Sequence, residues 1–325
     1  MASRRWVVPP QDRWDFPWTR GDRCPCGSEK SFGECCLSSD GRPHLKLGPI
    51  HPTQPATGYA HPRCYLNRSS DCSRTISREH YISRGLISRP GLKVRGMPWQ
   101  AEPVMATSAD ALTSKILCQR HNSALSPLDA HAQRAFLALE AAQMHATKAS
   151  LSRKRFSILI SGEALELWAM KTLAGLYATG MDFRVGPYRF RDYPPPMADI
   201  ADALTATPPR SLMRLEVPTD VDAHEASLGR SAVSTLPVID EDQGRLVAVI
   251  FRLQGLGLKF HLDHEGAPAP PDAGLRPHMI DVVGPHRSSR IYVSWGEAMP
   301  GHIVFLKLKP ATPRQKDAWR ASQKG

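Results

Sequence analysis

The sequence predicts an α+β protein: a small zinc knot, a second cysteine-bearing unit ending in a long helix, and a C-terminal antiparallel sheet with helices. Three observations carry this. All seven cysteines precede residue 119, and four fall within the stretch CPCGSEKSFGECC, residues 24–36. Apolar residues recur at helical spacing from Leu128 to Leu139 and again through SGEALELWAMKTLAGLYATG, residues 161–180. Later in the chain come short apolar or alternating runs (RLVAVIFRL, LGLKFHLD, RIYVSW and HIVFLKL) separated by turn residues.

Taken in order, residues 1–20 read as an extended arm and 21–45 as the knot. The Pro- and Gly-rich 46–60 reads as a linker, 61–150 as the second unit, 151–310 as an α+β accessory unit, and 311–325 as a basic tail. The long helix of the second unit has a start signal in SPLD: Ser126 as N-cap, Pro127 in the first turn and Asp129 as capping carboxylate. The next helix is opened by Ser161 and closed by Gly180.

The 325-residue chain is 41% hydrophobic, enough for a packed core, and its formal charge is +11. That excess favours a polyanionic partner, nucleic acid first among them. No stretch approaches the ~18 consecutive apolar residues of a membrane span, and the amino end lacks a signal-peptide core. The expected setting is the cytoplasm, where thiols stay reduced and clustered cysteines bind metal.

The thiols divide cleanly. Cys24, Cys26, Cys35 and Cys36 complete one tetrahedral zinc site. Cys64, Cys72 and Cys118 are one ligand short of another, and His121 stands three residues after Cys118. Two structural zinc ions therefore account for every thiol. With so few apolar residues in the first knot, metal binding, at ~10–16 kcal/mol, has to drive its folding. Gly27 supplies the unusual backbone angle after the first pair, and Phe32 a hydrophobic prop. This stretch resembles the SEC-C motif, CPCGSGKK-aromatic-KKC followed by Cys or His, found at the C-terminus of the bacterial preprotein translocase motor and on many other proteins. The resemblance implies zinc binding and a docking role toward protein, ribosome or nucleic-acid partners. Glu29, Gly33 and Glu34 stand where the family often carries Gly and Lys.

Between the two halves of the second cluster lies the pair Glu79–His80, in a β-like run, and Asn122 directly follows the last zinc ligand. This order resembles HNH endonucleases of the ββα-metal, treble-clef type, over roughly residues 61–140. The resemblance implies a divalent-metal phosphodiesterase. His80 would take a proton from the attacking water. Glu79 and Asn122 would hold a catalytic Mg²⁺ or Mn²⁺ that offsets charge on the phosphate. Thr113 stands where the family's central Asn would orient the histidine. The excess of Arg and Lys over residues 61–100 would hold phosphates, with Arg78, Arg74 and Arg84 nearest the pair.

The leading expectation is thus a metal-dependent HNH-type nuclease, acting on DNA, with an appended docking knot. The alternative is a non-enzymatic zinc adaptor that grips nucleic acid or the translation or secretion machinery. Residues 155–310 offer no catalytic constellation. His224, His261, His264, His278 and His286 are scattered, and Trp168 and Trp295 read as core.

Overall fold

The computed structural model describes residues 16–87, 93–94, 105–147, 156–185, 188–217, 233–253, 256–262, 275–284, 287–296 and 303–308. The expected basic tail, most of the amino-terminal arm, and His224, His264 and His286 lie outside the described residues. The elements in chain order are α1 (Phe32–Cys35), β1 (Ile76–His80), α2 (Arg84–Ile87), β2 (Lys93–Val94), β3 (Met105–Ala106), β4 (Thr113–Cys118) and α3 (Gln119–Thr147). They continue with β5 (Phe156–Ser161), α4 (Gly162–Ala178), β6 (Arg184–Val185), β7 (Tyr188–Arg189), α5 (Met197–Thr205) and β8 (Met213–Glu216). The last six are β9 (Val233–Asp240), β10 (Arg245–Leu253), β11 (Leu256–Leu262), β12 (Met279–Val283), β13 (Ser288–Ser294) and β14 (Ile303–Lys307).

Helix α4 is the hub. Of its 17 residues 14 are buried, including Glu166 and Lys171, as a helix apolar on every side requires. Its start is as the sequence indicates: the Ser161 hydroxyl accepts the Ala164 N–H at 3.1 Å. Gly180 follows its end in the left-handed region, at φ +67°. Helices α3 and α5 and strand β8 pack around it.

Helix α3 corrects the expected start at Ser126. It begins at Gln119, straight out of β4, and carries Pro127 inside. A proline in a helix leaves the carbonyl four residues earlier without its N–H donor. Here that carbonyl belongs to Ser123, and the Ser126 hydroxyl donates to it at 2.9 Å. The residue expected to cap a helix repairs the interior of one instead.

The accessory region builds two four-stranded sheets. One, ordered β8-β11-β10-β9, is antiparallel throughout, as expected. It buries Leu246, Val249, Phe251 and Phe260 on its inner side. The other, ordered β14-β12-β13-β5, is mixed: β12 and β13 are antiparallel, but β14 pairs with β12 and β5 with β13 in parallel. A short connection joins β12 to β13, which suits an antiparallel pair. Strand β5 reaches β13 only after α4 and much else intervene, as a parallel partner needs.

The knot rests on this mixed sheet. Cys24, Cys26, Phe32, Cys36 and Leu45 form one buried apolar cluster with Leu159, Met279 and Tyr292. Trp18 meets Tyr292 edge-on at 4.8 Å between ring centroids. The Leu159 N–H donates to the Pro25 carbonyl at 3.4 Å, and the Leu45 N–H to the Ser294 hydroxyl at 3.0 Å. Segment 46–60 is also pinned: Ile50 is buried in the main core, and Arg120 donates to the carbonyls of Gln54 and Pro55.

Candidate metal centres and a buried charge cluster

In the first centre the ligand atoms of Cys24, Cys26, Cys35 and Cys36 all lie within 4.8 Å of one another. Four ligands at ~2.3 Å from one ion stand about 3.8 Å apart, so the group has the dimensions of a zinc site. Gly27 makes the turn after the first pair at φ +78°, as its position predicts. Of the second pair Cys35 ends α1 and Cys36 is its C-cap, and within the helix Glu34 accepts the Ser31 hydroxyl at 2.7 Å. Burial pushes Cys24 up to about 11 and raises Cys36 as well. Burial acts upward on Cys26 too, yet the Ser28 hydroxyl and N–H bring it down to about 6. Several buried thiolates side by side need a cation, and a divalent ion with four sulfur ligands supplies it.

In the second centre Cys64, Cys72, Cys118 and His121 are all buried, with ligand atoms again within 4.8 Å of one another. The His121 Nδ1 faces the Sγ atoms of Cys118, Cys64 and Cys72 at 3.3, 3.4 and 3.7 Å. Its Nε2 lies 3.2 Å from the Ser69 hydroxyl, the outer hydrogen bond that fixes a metal-binding imidazole. The long spacer between Cys64 and Cys72 folds back through a 3₁₀ turn, Asn67–Ser69, and Ser70 at φ 49°. That is how seven intervening residues do the work of a shorter knuckle. Cys118 ends β4 and His121 lies in the first turn of α3, so both are placed by the hairpin of β1 with β4 and the helix that follows. Both centres fit zinc in size, donor type and closure; all four positions of each are filled by the protein.

Of the remaining candidates Arg78, Glu79 and His80 sit on β1, Arg84 on α2 and Asn122 on α3, and they do not converge. Successive strand residues face opposite sides. Glu79 turns inward and is 5% exposed. There Lys171 Nζ, from α4, donates to Glu79 Oε1 at 2.7 Å and to Asp129 Oδ2 at 2.5 Å. Ser83 donates to the other Asp129 oxygen at 2.5 Å, and Trp168 Nε1 donates to Ser83 at 2.7 Å. Burial pushes the Glu79 carboxyl up, with Lys171 opposing. Burial acts downward on Lys171, but Glu79 and Asp129 hold its ammonium above the ordinary value.

His80 faces the other way, 3.7 Å from Asp110 Oδ1. Burial, then the Arg84 guanidinium, lowers its pKa, with Asp110 and Asp129 opposing. Arg78 Nε donates to the Thr113 hydroxyl at 3.2 Å, and Arg84 reaches Asp110 at 3.8 Å. Arg74 lies over the Tyr59 ring, 5.3 Å from its centroid, apart from that group. Asn122 is half-buried on α3, and no hydrogen bond among the described residues joins it to Glu79 or His80.

Sequence reasoning missed Lys171 and misread Asp129 as a cap. The signal for the first was a single lysine in the otherwise apolar LWAMKTLAGLY.

The thiol spacing, the turn at Gly27 and the closed geometry coincide with one known pattern. Residues 20–38 match the SEC-C motif. The SEC-C match ends at residue 38 and leaves the second centre outside it. No curated protein matches the chain, and no solved structure does. No helix among the described residues is long and apolar enough to cross a membrane.

Proposed function

We propose that this chain is a non-hydrolytic nucleic-acid-binding protein, stapled by two structural zinc ions, whose hairpin keeps the outline of an HNH-type site without its metal chemistry. One observation carries the reading: Lys171 holds both inward carboxylates, Glu79 and Asp129. A catalytic Mg²⁺ or Mn²⁺ requires anionic oxygens open to it and to substrate. At this position the positive charge is already supplied by a buried side chain, and Glu79 lies under the hairpin, away from His80.

What is left on the outer side suits binding. Arg78 and Arg84 flank His80 on a chain of formal charge +11. Exposed guanidinium groups engage phosphates through charge-assisted hydrogen bonds without reading sequence. The zinc centres hold the frame: the second fixes β4 to α3, and the first covers the mixed sheet.

The test pairs binding with cleavage on duplex DNA, single-stranded DNA and RNA, with Mg²⁺ or Mn²⁺ present. The expected result is salt-dependent binding and no cutting by the wild type. Replacing Arg78 and Arg84 by Ala lowers the slope of log affinity against log salt by about 1–2. Cleavage abolished by His80→Ala overturns the non-hydrolytic reading in favour of the nuclease. A folded protein with no affinity for any of the three polymers overturns nucleic-acid binding.

A further inference from the structure

A cavity of about 500 Å³ opens beside the second zinc centre. Its walls are the Pro62–Arg68 loop, the Ser114–Ile116 segment of β4, the end of α4 and the first residues of α5. Ligand pockets run from about 300 to 1,000 Å³, so a nucleotide-sized molecule fits this one.

Charge chooses the ligand. Arg63, Arg68 and Lys115 line the cavity, and no carboxylate does. The Arg68 guanidinium is held by Asp202 of α5 at 3.2 and 3.4 Å. Arg63 and Lys115 are exposed and make no ion pair among the described residues. They come from two different walls. Met197 and Ala198 open α5 at a third wall, and no side chain caps that helix end. Asp199 stands in the first turn of α5 and offsets the positive helix start, so the anion preference rests on Arg63 and Lys115. Tyr65 and Ile116 are among the other lining residues.

We infer that this cavity binds the phosphomonoester of a nucleotide unit, with Arg63 and Lys115 gripping the phosphate. The unit is either a free nucleotide or the phosphorylated end of a strand. The strand-end source rests on the nucleic-acid reading above; the free-nucleotide source does not.

The test uses the full chain with its zinc. Calorimetry compares AMP with adenosine, and fluorescence anisotropy compares a 5′-phosphorylated oligonucleotide with its 5′-hydroxyl twin. Saturable AMP binding without adenosine binding supports the free nucleotide as source. A preference of tenfold or more for the phosphorylated oligonucleotide supports the strand end. Either preference disappears in Arg63→Ala/Lys115→Ala, whose circular dichroism and melting match wild type. Arg78→Ala/Arg84→Ala weakens both oligonucleotides equally and leaves the phosphate preference intact, so failure of the hairpin surface is told apart from failure of the cavity. The inference is overturned if neither comparison shows a phosphate preference. It is equally overturned if that preference survives loss of Arg63 and Lys115.

Discussion

Replacing Lys171 by Met keeps the length of the side chain and removes its charge from the middle of the protein. In the native structure that ammonium is 4% exposed and makes contacts of 2.7 and 2.5 Å to Glu79 and Asp129. Taking away one member of a buried charge cluster strands the others, at a cost of about 3–5 kcal/mol. The two lost charge-assisted hydrogen bonds, at about 1.5–3 kcal/mol each, give a cost of the same order. Equilibrium denaturation in urea at pH 7 measures it, with an unchanged m-value showing that the same surface unfolds. Adding Glu79→Gln removes the stranded inward carboxylate and recovers a large part of the loss, because the two positions are coupled. A drop below about 1 kcal/mol for Lys171→Met alone would refute the argument. It would mean the ammonium does not neutralise the inward carboxylates, and Glu79 would again be open to a divalent ion.

Two further outcomes are expected. Elemental analysis should return two zinc ions per chain. Cys36→Ser should leave one and quench the docking of Trp18 on Tyr292, whereas Cys118→Ser should unfold the main core, because Cys64, Cys72 and Cys118 are packed inside it. Near acid pH, Glu216 gives a signed prediction. Its carboxyl is held below the ordinary 4.5 first by the hydrogen bond from His261, whose Nε2 lies 2.6 Å from Glu216 Oε2, and then by Lys259. A depressed carboxyl stabilises the fold above the unfolded-state pKa, and that contribution is lost as pH falls through the folded one. His261→Asn should therefore flatten the acid limb of a urea-midpoint profile taken from pH 6 to 3.

What could be read ahead of the structure depended on how far apart the cooperating residues lie. The four thiols of residues 24–36 sit in one short segment, so spacing alone defines their site. Counting did the same for Cys64, Cys72, Cys118 and His121, because the three remaining thiols and the histidine three residues after Cys118 make a second set of four. Strands such as 245–253 announced themselves by composition. Their partners did not: the parallel pairing of Phe156–Ser161 with Ser289–Ser294 depends on everything folded between them. The cluster of Glu79, Asp129 and Lys171 joins a strand and two helices. Each member has an ordinary local reading: surface acid, cap and solvated lysine. Only packing shows that the three meet, with Glu79 and Lys171 buried and Asp129 partly open to solvent. Pro127 misled for the opposite reason, since its local meaning as a start signal was overridden by a neighbouring serine hydroxyl.

The seating of the SEC-C segment on the mixed sheet alters what a partner of that segment would recognise. Phe32 and the inner thiols look toward Leu159, Met279 and Tyr292, so only the far side of the knot meets the outside. A ligand for residues 20–38 would therefore meet only that outer face, held in place by the strands beneath it. Its affinity would report the integrity of segments more than a hundred residues downstream. A synthetic peptide of the same residues would present the apolar underside that the whole chain keeps covered, and would select a different set of binders.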